Sequence, residues 1–226
     1  MLRLYNCIFK PPLEFQGFLN LEDIHLNSVY FGDNLGGNII NLPCLKKLIL
    51  DKCNNVNNFN IKAEKLQSLK FLAAQKFPKW LPHSVKRLRQ LEFLSFSFGD
   101  LDQVQGALCM LRNSPNLKEL RLTHMQLGHE ADLELTSNYL ESPHCLNQTL
   151  FMLQTVEMIS LEGSRPELLF IKLLLDHSPR LENMIIRPRA TADAQKVLNI
   201  AKAVMLFPRA SAKAKMVYMD PQPYIY

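Results

Sequence analysis

One short hydrophobic pattern recurs along the chain and constrains its fold more than any other feature. The pattern is an apolar residue, two variable residues, an apolar residue, one variable residue and a final apolar residue. Seven segments follow it, and they begin at Leu21, Leu45, Leu66, Leu91, Leu117, Leu153 and Leu181. Subtracting each position from the next gives steps of 24, 21, 25, 26, 36 and 28. Seven matches in order are hard to obtain by chance, so we expect a fold built from repeats.

The spacing inside each segment predicts a β-strand at its end. Because side chains alternate along a strand, the last two apolar residues point into a core and the residue between them faces solvent. One such strand cannot bury its apolar side alone, so neighbouring strands must stack in parallel. The pattern resembles the L-x-x-L-x-L unit of leucine-rich repeats, whose length most of these steps match. It predicts an α/β fold: an irregular leucine-rich-repeat solenoid with parallel strands on one face and helices or loops on the other.

The segments that connect the predicted strands favour helices in two places. Residues 101–111 and 167–176 each carry apolar residues at helical spacing. A Ser-Pro pair follows each stretch, and proline ends a helix because it lacks the amide proton and clashes with the preceding turn. Residues 128–148 fill the longest step and are interpreted as a linker or surface insertion. We therefore predict leucine-rich repeats over residues 1–141 and a second domain over residues 142–226.

Several short stretches carry a resemblance to a known family. In the last third of the chain they are Pro143–Leu146, Leu153–Ile159, Gly163, Glu167–Leu175, Ser178–Glu182 and Phe207–Ser211. Near the start they are Cys7–Pro12, Phe15–Phe18 and Leu21–Ile24. The first set resembles the FBD domain of plant F-box/FBD/LRR-repeat proteins, and the second is similar to the repeat region of the same family. The resemblance implies that residues 142–226 form an FBD module after the repeats.

The resemblance also implies a function. Proteins of this family act as substrate receptors of cullin-RING ubiquitin ligases, in which an N-terminal F-box holds the adaptor and the repeats hold the target. This chain starts inside the repeats, with no room for an F-box before Leu2. We therefore expect the adaptor and cullin as partners only if an F-box lies upstream. Two interpretations stay open: a ligase subunit that has lost its F-box in this sequence, and a stand-alone repeat protein that binds a target without ligase attachment.

The sequence contains no arrangement of residues typical of catalysis. It lacks the glycine-rich phosphate loops, the G-x-S-x-G nucleophile turn and the H-E-x-x-H zinc motif. His124, His129, Glu130 and Asp132 are spaced like no standard metal site. The adjacent His144 and Cys145 point in different directions in most backbones and are poorly placed as a nucleophile pair. We expect a protein that is not an enzyme, with no cofactor and no metal.

Charge and cysteine content indicate the cellular compartment of the protein and limit the kinds of partner that it can bind. Five cysteines without a C-x-x-C pair favour free thiols in a reducing compartment, the cytoplasm or the nucleus. No segment reaches the length of apolar residues that a membrane helix needs, so we expect no membrane partner. The net charge of +5 lies entirely in residues 187–226, which hold seven Lys or Arg and two Asp. Nucleic-acid binding through this basic end is an alternative, disfavoured by the lack of interleaved aromatic residues.

Binding of a protein target is the role that the sequence favours, and the repeat predicts where. Residues between the paired apolar positions should line one solvent-exposed side of the sheet. They are His25, Ile49, Lys70, Ser95, Arg121, Glu157 and Ile185. Their mixed charges and an exposed isoleucine suit a protein partner better than a nucleic acid. Trp80, the only tryptophan, is a further candidate because tryptophan and arginine are enriched at interface hot spots and several basic residues surround it.

Overall fold

The computed structural model describes residues 1–12, 14–32, 39–56, 60–73, 85–125 and 130–220. The strands are β1 (Leu2–Tyr5), β2 (Ile8–Phe9), β3 (Asp23–Asn27), β4 (Tyr30–Phe31), β5 (Ile40–Asn41), β6 (Lys47–Asp51), β7 (Ile61–Lys62), β8 (Ser68–Leu72), β9 (Gln90–Phe96), β10 (Glu119–His124), β11 (Thr155–Leu161), β12 (Asn183–Pro188) and β13 (Lys215–Tyr218). The helices are α1 (Leu101–Asn113), α2 (Glu130–Glu141), α3 (Arg165–His177) and α4 (Ala194–Met205), with a short 3-10 helix at Val85–Arg87.

The chain divides into two compact units. The first unit comprises Met1–Leu94 and Gln105–Leu117, and the second comprises Ser95–Val104 and Lys118–Tyr226. Strand β9 and helix α1 therefore contribute residues to both units. The division into compact units differs in position from the domain boundary predicted at residues 141 and 142, which lies within the second unit. The predicted boundary stays a prediction.

In each unit the long strands run parallel, as the repeat predicts. The order in the first unit is β1-β3-β6-β8-β9, and that in the second is β10-β11-β12-β13. The apolar residues of each pattern pair with those of the next strand, for example Leu26 with Leu50 and Met158 with Ile186. These side chains are almost completely buried. An α/β repeat fold with parallel strands and helices is therefore confirmed.

The same backbone turn precedes most of the long strands. The amide of the leucine that opens a repeat donates to the carbonyl three residues earlier, as in Leu45 to Leu42 (3.1 Å) and Leu181 to Ser178 (3.1 Å). The next amides then reach the preceding repeat: both Lys46 and Lys47 donate to the carbonyl of Glu22. This shared turn fixes the register of these strands relative to their neighbours. It also identifies which leucine opens a repeat independently of the sequence pattern.

By this test the predicted frame of the fourth repeat is wrong. The amide of Leu88 donates to the carbonyl of Val85 at 3.0 Å, so Leu88 opens the repeat. Leu91 pairs with Leu69, and Phe93 pairs with Phe71, which places both in the positions that close the pattern. The chain carries both L-x-x-L-x-F frames three residues apart, and the pattern alone does not separate them. With Leu88 in place of Leu91, the successive steps become 24, 21, 22, 29, 36 and 28.

The layer behind the long strands changes along the chain. In the first unit two-residue strands form small parallel ladders, with β2 beside β4 and β5 beside β7. From α1 onward helices occupy the connections. Helices over 101–111 and 167–176 are confirmed as α1 and α3, each slightly longer than predicted. The interpretation of residues 128–148 as a linker or surface insertion is wrong, because α2 lies there and packs against α3.

Candidate functional site

A row of side chains crosses the solvent-facing side of the first unit. One residue comes from the middle of each long strand, and the row is Arg3, His25, Ile49, Lys70 and Glu92. Each lies directly opposite its neighbour because the strands are parallel and in register. With neighbouring strands about 4.8 Å apart, five strands extend the row over about 19 Å. The burial pattern of β3, β6 and β8 alternates, so these central residues are half-buried between fully buried neighbours.

Side-chain contacts link residues of this row to one another, and they also link residues of the neighbouring row, which contains Asn27 and Asp51. Lys70 and Glu92 form an ion pair across neighbouring strands. The ring of Tyr5 meets that of His25 edge-on, with centroids 6.0 Å apart. In the parallel row Asn27 donates from Nδ2 to a carboxylate oxygen of Asp51 at 2.5 Å. Such cross-strand pairs restrict the side chains that form them and contribute to the stability of the sheet.

The second unit presents an equivalent row. Its central residues are Arg121, Glu157, Ile185 and Val217, each opposite the next. Glu157 lies between two cations: its Oε2 is 3.3 Å from Nε of Arg121, and its Oε1 is 3.8 Å from Nη2 of Arg187. The half-buried Ile185 and Val217 continue the row. The surface is therefore a charged cluster next to an aliphatic strip, a combination suited to binding a protein.

The predicted site residues fall into three groups. His25, Ile49 and Lys70 lie in one row of the first unit, and Arg121, Glu157 and Ile185 lie in one row of the second, as the sequence predicted. Ser95 was placed wrongly, because the frame of its repeat is shifted by three residues and Glu92 takes the position opposite Lys70. Trp80 lies outside the described residues.

Ser95 instead marks the end of the straight part of its strand. It has a φ of +67°, in the left-handed region that favours glycine. Asn6, Ser28, Lys52 and Ala73 have the same conformation and hold the same place, two residues after the last apolar residue of their repeats. Their amides continue the ladder, as in Lys52 to the carbonyl of Leu72 at 2.9 Å. A left-handed residue is therefore part of the repeat in this chain, and Ser95 belongs to that series.

A buried polar pair lies in the core of the second unit and was not predicted. His124 is 7% exposed and Glu167 is 0% exposed, with Nε2 of His124 3.7 Å from Oε1 of Glu167. The carbonyl of Phe96 lies 3.2 Å from Nδ1 of His124 and can only accept, so the neutral ring carries its proton on Nδ1. The carboxyl of Glu167 accepts from the amides of Ser164 (2.7 Å) and Glu162 (3.2 Å) at the start of α3.

Burial controls the charge of both groups. It lowers the pKa of His124 to about 4, because water is withdrawn from the cation and Arg189 adds repulsion, against the opposing hydrogen bond to Phe96. It raises the pKa of Glu167 to about 7 in spite of the amides that favour the carboxylate. The two groups thus meet as neutral partners at mildly acidic pH rather than as an ion pair. The sequence signal for this arrangement was present: Ser164-x-x-Glu167 is a helix-capping pattern.

The surroundings of Cys145, which was considered as a possible nucleophile, are those of a structural thiol. Cys145 is buried and donates from Sγ to the carbonyl of Leu140 at 3.2 Å. The five cysteines are all free thiols, and two of them are buried. Within the described ranges, no group of three or more histidine, cysteine, aspartate or glutamate side chains is placed to hold a metal ion. Of the helices in these ranges, none combines the length and the apolar character required to cross a membrane.

Comparison with known proteins gives the family. A family model described as "At1g61320/AtMIF1, LRR domain" matches residues 1–206. The F-box/FBD/LRR-repeat protein At1g13570 of Arabidopsis thaliana is 28% identical over 151 residues, which are 67% of this chain and 36% of that protein. The chain thus spans about a third of the length of this relative. No solved structure matches the chain. The repeats, their parallel strands and the matched family model together show that the chain belongs to the leucine-rich-repeat family of the At1g61320/AtMIF1 LRR domain.

Proposed function

We propose that the chain is a non-enzymatic scaffold that binds a protein target through the central rows of its parallel strands. The observation that carries this proposal is the register of the first unit, which puts His25, Ile49, Lys70 and Glu92 in one continuous row. Leucine-rich repeats stack such rows into broad surfaces that suit contact with other proteins. Within this row Lys70 and Glu92 already form an ion pair, which supports a role in complementary contact with another protein.

A protein partner fits these rows better than a nucleic acid does. Their charges are of both signs, since Lys70 pairs with Glu92 in one row and Arg121 faces Glu157 in the other, whereas a phosphate backbone requires a surface of one sign. Two of the seven basic residues in the C-terminal region face carboxylates: Arg187 faces Glu157, and Arg189 is paired with Glu162. These pairings reduce the positive charge available for phosphate. The target is therefore expected to carry charges of both signs around a small aliphatic surface.

We further infer a place for this scaffold among ubiquitin ligases. The relative in Arabidopsis is named for an F-box and an FBD segment as well as repeats, which supports a role as the substrate-recognition part of a cullin-RING ligase. In this proposal residues 142–226 are an FBD module, and adaptor and cullin join only through an F-box in the same gene product. The alternative is a stand-alone repeat protein that holds the same target without modifying it. Free thiols at all five cysteines support action in the cytoplasm or nucleus.

The proposal is tested by comparing partners of matched variants of the full-length gene product in its native cells. The double variant Ile49→Lys with Arg121→Glu changes one central residue in each unit. Its control is Leu135→Lys with Lys172→Glu, which makes the same changes at exposed positions on α2 and α3. Proximity labelling and quantitative mass spectrometry should show a set of proteins reduced about ten-fold or more by the first variant and unchanged by the control, because hot-spot residues near the centre of an interface cost about 2 kcal/mol or more when they are lost.

Two results would count against this function. Partners that survive the Ile49 and Arg121 changes while the variant remains folded would show that binding occurs elsewhere. Hydrolysis or transfer of a small substrate by the purified chain would contradict the non-enzymatic role. Presence of adaptor and cullin among the captured proteins separates the ligase subunit from the stand-alone repeat protein.

A further inference from the structure

Helix α4 exposes large apolar side chains on the side opposite its own core. The helix is anchored to the second unit by Ile200 and Val204, which are almost completely buried. Leu198, Met205 and Leu206 are instead 46%, 65% and 85% exposed. Leu198 and Met205 are seven residues apart and therefore share one side of the helix. Leu206 follows directly, and its amide donates to the carbonyl of Ala203 at 3.2 Å, which fixes its position at the helix end.

A single lysine lies in the middle of this apolar surface. Lys202 is four residues after Leu198 and three and four residues before Met205 and Leu206, spacings that bring side chains together on a helix. It is exposed, and α4 contains no acidic residue. The carboxylate at its start, Asp193, caps the helix by accepting from the amide of Lys196 at 2.7 Å. We call Leu198, Lys202, Met205 and Leu206 the α4 patch.

The position of Lys202 excludes two simple occupants of the α4 patch. A symmetric dimer places the same patch on both partners. Because Lys202 lies at the centre, such a dimer would bring two lysines together between apolar side chains. An anionic membrane would attract the charge, but interfacial helices carry their cations on the polar face, beside the apolar one. Here the ammonium group would be pressed toward the hydrocarbon, where it has no partner.

We propose that the α4 patch is a docking surface for a second protein, whose contacting segment is an amphipathic helix with apolar residues around a central carboxylate. The apolar side chains of that helix would cover Leu198, Met205 and Leu206, and the carboxylate would pair with Lys202. The basic character of residues 187–220 favours an acidic segment over a basic one and speeds its association. This surface lies on a helix rather than on the central rows, so the inference does not depend on the proposed function.

The test uses two synthetic helical peptides and the full chain labelled with 15N. Both peptides present leucines on one side, and they differ only in the central residue of that side, which is glutamate in one and lysine in the other. We expect the glutamate peptide to shift amide resonances of α4 and to bind about ten-fold more tightly than the lysine peptide, since a close charge pair is worth about one factor of ten. The variant Lys202→Glu should reverse this preference.

Matched variants distinguish specific binding at the α4 patch from nonspecific hydrophobic binding. Leu198→Gln should weaken binding of the glutamate peptide about ten-fold, whereas Leu135→Gln on α2, a similarly exposed leucine, should leave it unchanged. Lys172→Glu on α3 is the control for Lys202→Glu. The proposal is overturned if no α4 resonance shifts at about 1 mM peptide. It is equally overturned if Leu198→Gln abolishes binding to phosphatidylserine vesicles, or abolishes self-association of the chain, while the peptides fail to bind.

Discussion

The parts of this chain before and after Leu88 use the same kind of strand and differ in the connection that leads to the next strand. From Leu21 to Leu88 the opening leucines follow one another at steps of 24, 21 and 22, and the returns described there contain two-residue strands. From Leu88 onward the steps lengthen to 29, 36 and 28, and each return contains a helix of 12 or 13 residues. A helix advances only about 1.5 Å per residue, so it needs more chain to cross the same distance than an extended segment. The length of the repeat therefore decides which layer covers the back of the sheet.

The part of the chain with longer connections also has more polar side chains buried in its interior. Among the described residues, ten polar or charged side chains are buried, and of these only Ser114 belongs to the first unit. One source of such groups is the start of a helix, because the first amides of a helix have no partner within it. Glu167 supplies such a partner for α3, and Asp100 accepts from the amide of Gln103 at 3.1 Å at the start of α1. Extended returns satisfy their amides through ladders and need no such side chains.

The largest expected effect is a loss of folding stability when a glycine is replaced, and we expect its size to differ between the two units. Gly17 has a φ of +109° and bridges to Asn41, so a methyl group there would overlap the Asn41 carbonyl, which belongs to the backbone. At Gly163 (φ +82°) the nearest atom is Cγ1 of Ile200 at 2.8 Å, which belongs to a side chain rather than to the backbone and lies less close than the Asn41 carbonyl does to Gly17. We expect Gly17→Ala to lower the free energy of unfolding by about 3 kcal/mol, and Gly163→Ala by about half as much.

Urea unfolding of both variants measures this difference. Gly32→Ala is the control, because a methyl group there has no neighbour within 4 Å, and it should behave like the wild type. Equal losses for Gly17→Ala and Gly163→Ala would show that the ladder on the back of the first unit tolerates displacement as readily as a side chain does. The comparison between rigid ladders and adjustable helix packing would then be wrong.

A second effect belongs to the second unit alone and depends on pH. Folding lowers the pKa of His124 from 6.5 to about 4, so this group makes the folded state bind fewer protons and raises stability as pH increases over that range. Folding raises the pKa of Glu167 from 4.5 to about 7, so this group makes stability fall as pH increases. Between about pH 4.5 and 6.5 the two slopes have opposite signs and offset each other.

Single variants should therefore reveal slopes that the wild type hides. In Glu167→Gln the histidine remains, and stability should rise by about 1.4 kcal/mol per pH unit between pH 4.5 and 6.5. In His124→Gln the glutamate remains, and stability should fall by a similar amount over the same range. Chemical unfolding at several pH values measures both slopes relative to the wild type. Parallel pH profiles for the two variants would contradict the assignment of neutral partners.

The smallest effect concerns the left-handed residue at the end of each short repeat. Lys52 is exposed and has a φ of +49°, a conformation that costs a non-glycine residue about 1 kcal/mol or slightly more. Lys52→Asn should raise the free energy of unfolding by about 0.5 kcal/mol, since asparagine tolerates this region. Lys52→Val should lower it by about 1 kcal/mol, because a β-branched side chain does not. Thermal unfolding of the two variants measures this difference. If Lys52→Val is more stable than Lys52→Asn, the left-handed residue is not a feature of the repeat.

Sequence patterns predicted the strands well because their cause is local. A period of two in apolar residues directly encodes one buried side, and the rows containing His25, Ile49 and Lys70 follow from it. The frame of the fourth repeat was not accessible, since Leu88 and Leu91 both open an acceptable pattern and only the backbone turn at Val85 distinguishes them. Ser95 was misplaced for that reason alone. The helix α2 was missed because its apolar residues are few and its packing against α3 involves distant parts of the chain.

The proposed binding surface depends on parallel strands held in the register that places Lys70 opposite Glu92. In that register the rings of Phe71 and Phe93 stack, with centroids 5.5 Å apart and planes inclined by 11°. Selective labelling of phenylalanine and a nuclear Overhauser experiment on the full chain test it most directly. We predict strong cross-peaks between the ring protons of Phe71 and Phe93. Their absence in a folded sample would contradict the register and, with it, the row of residues proposed to bind the target.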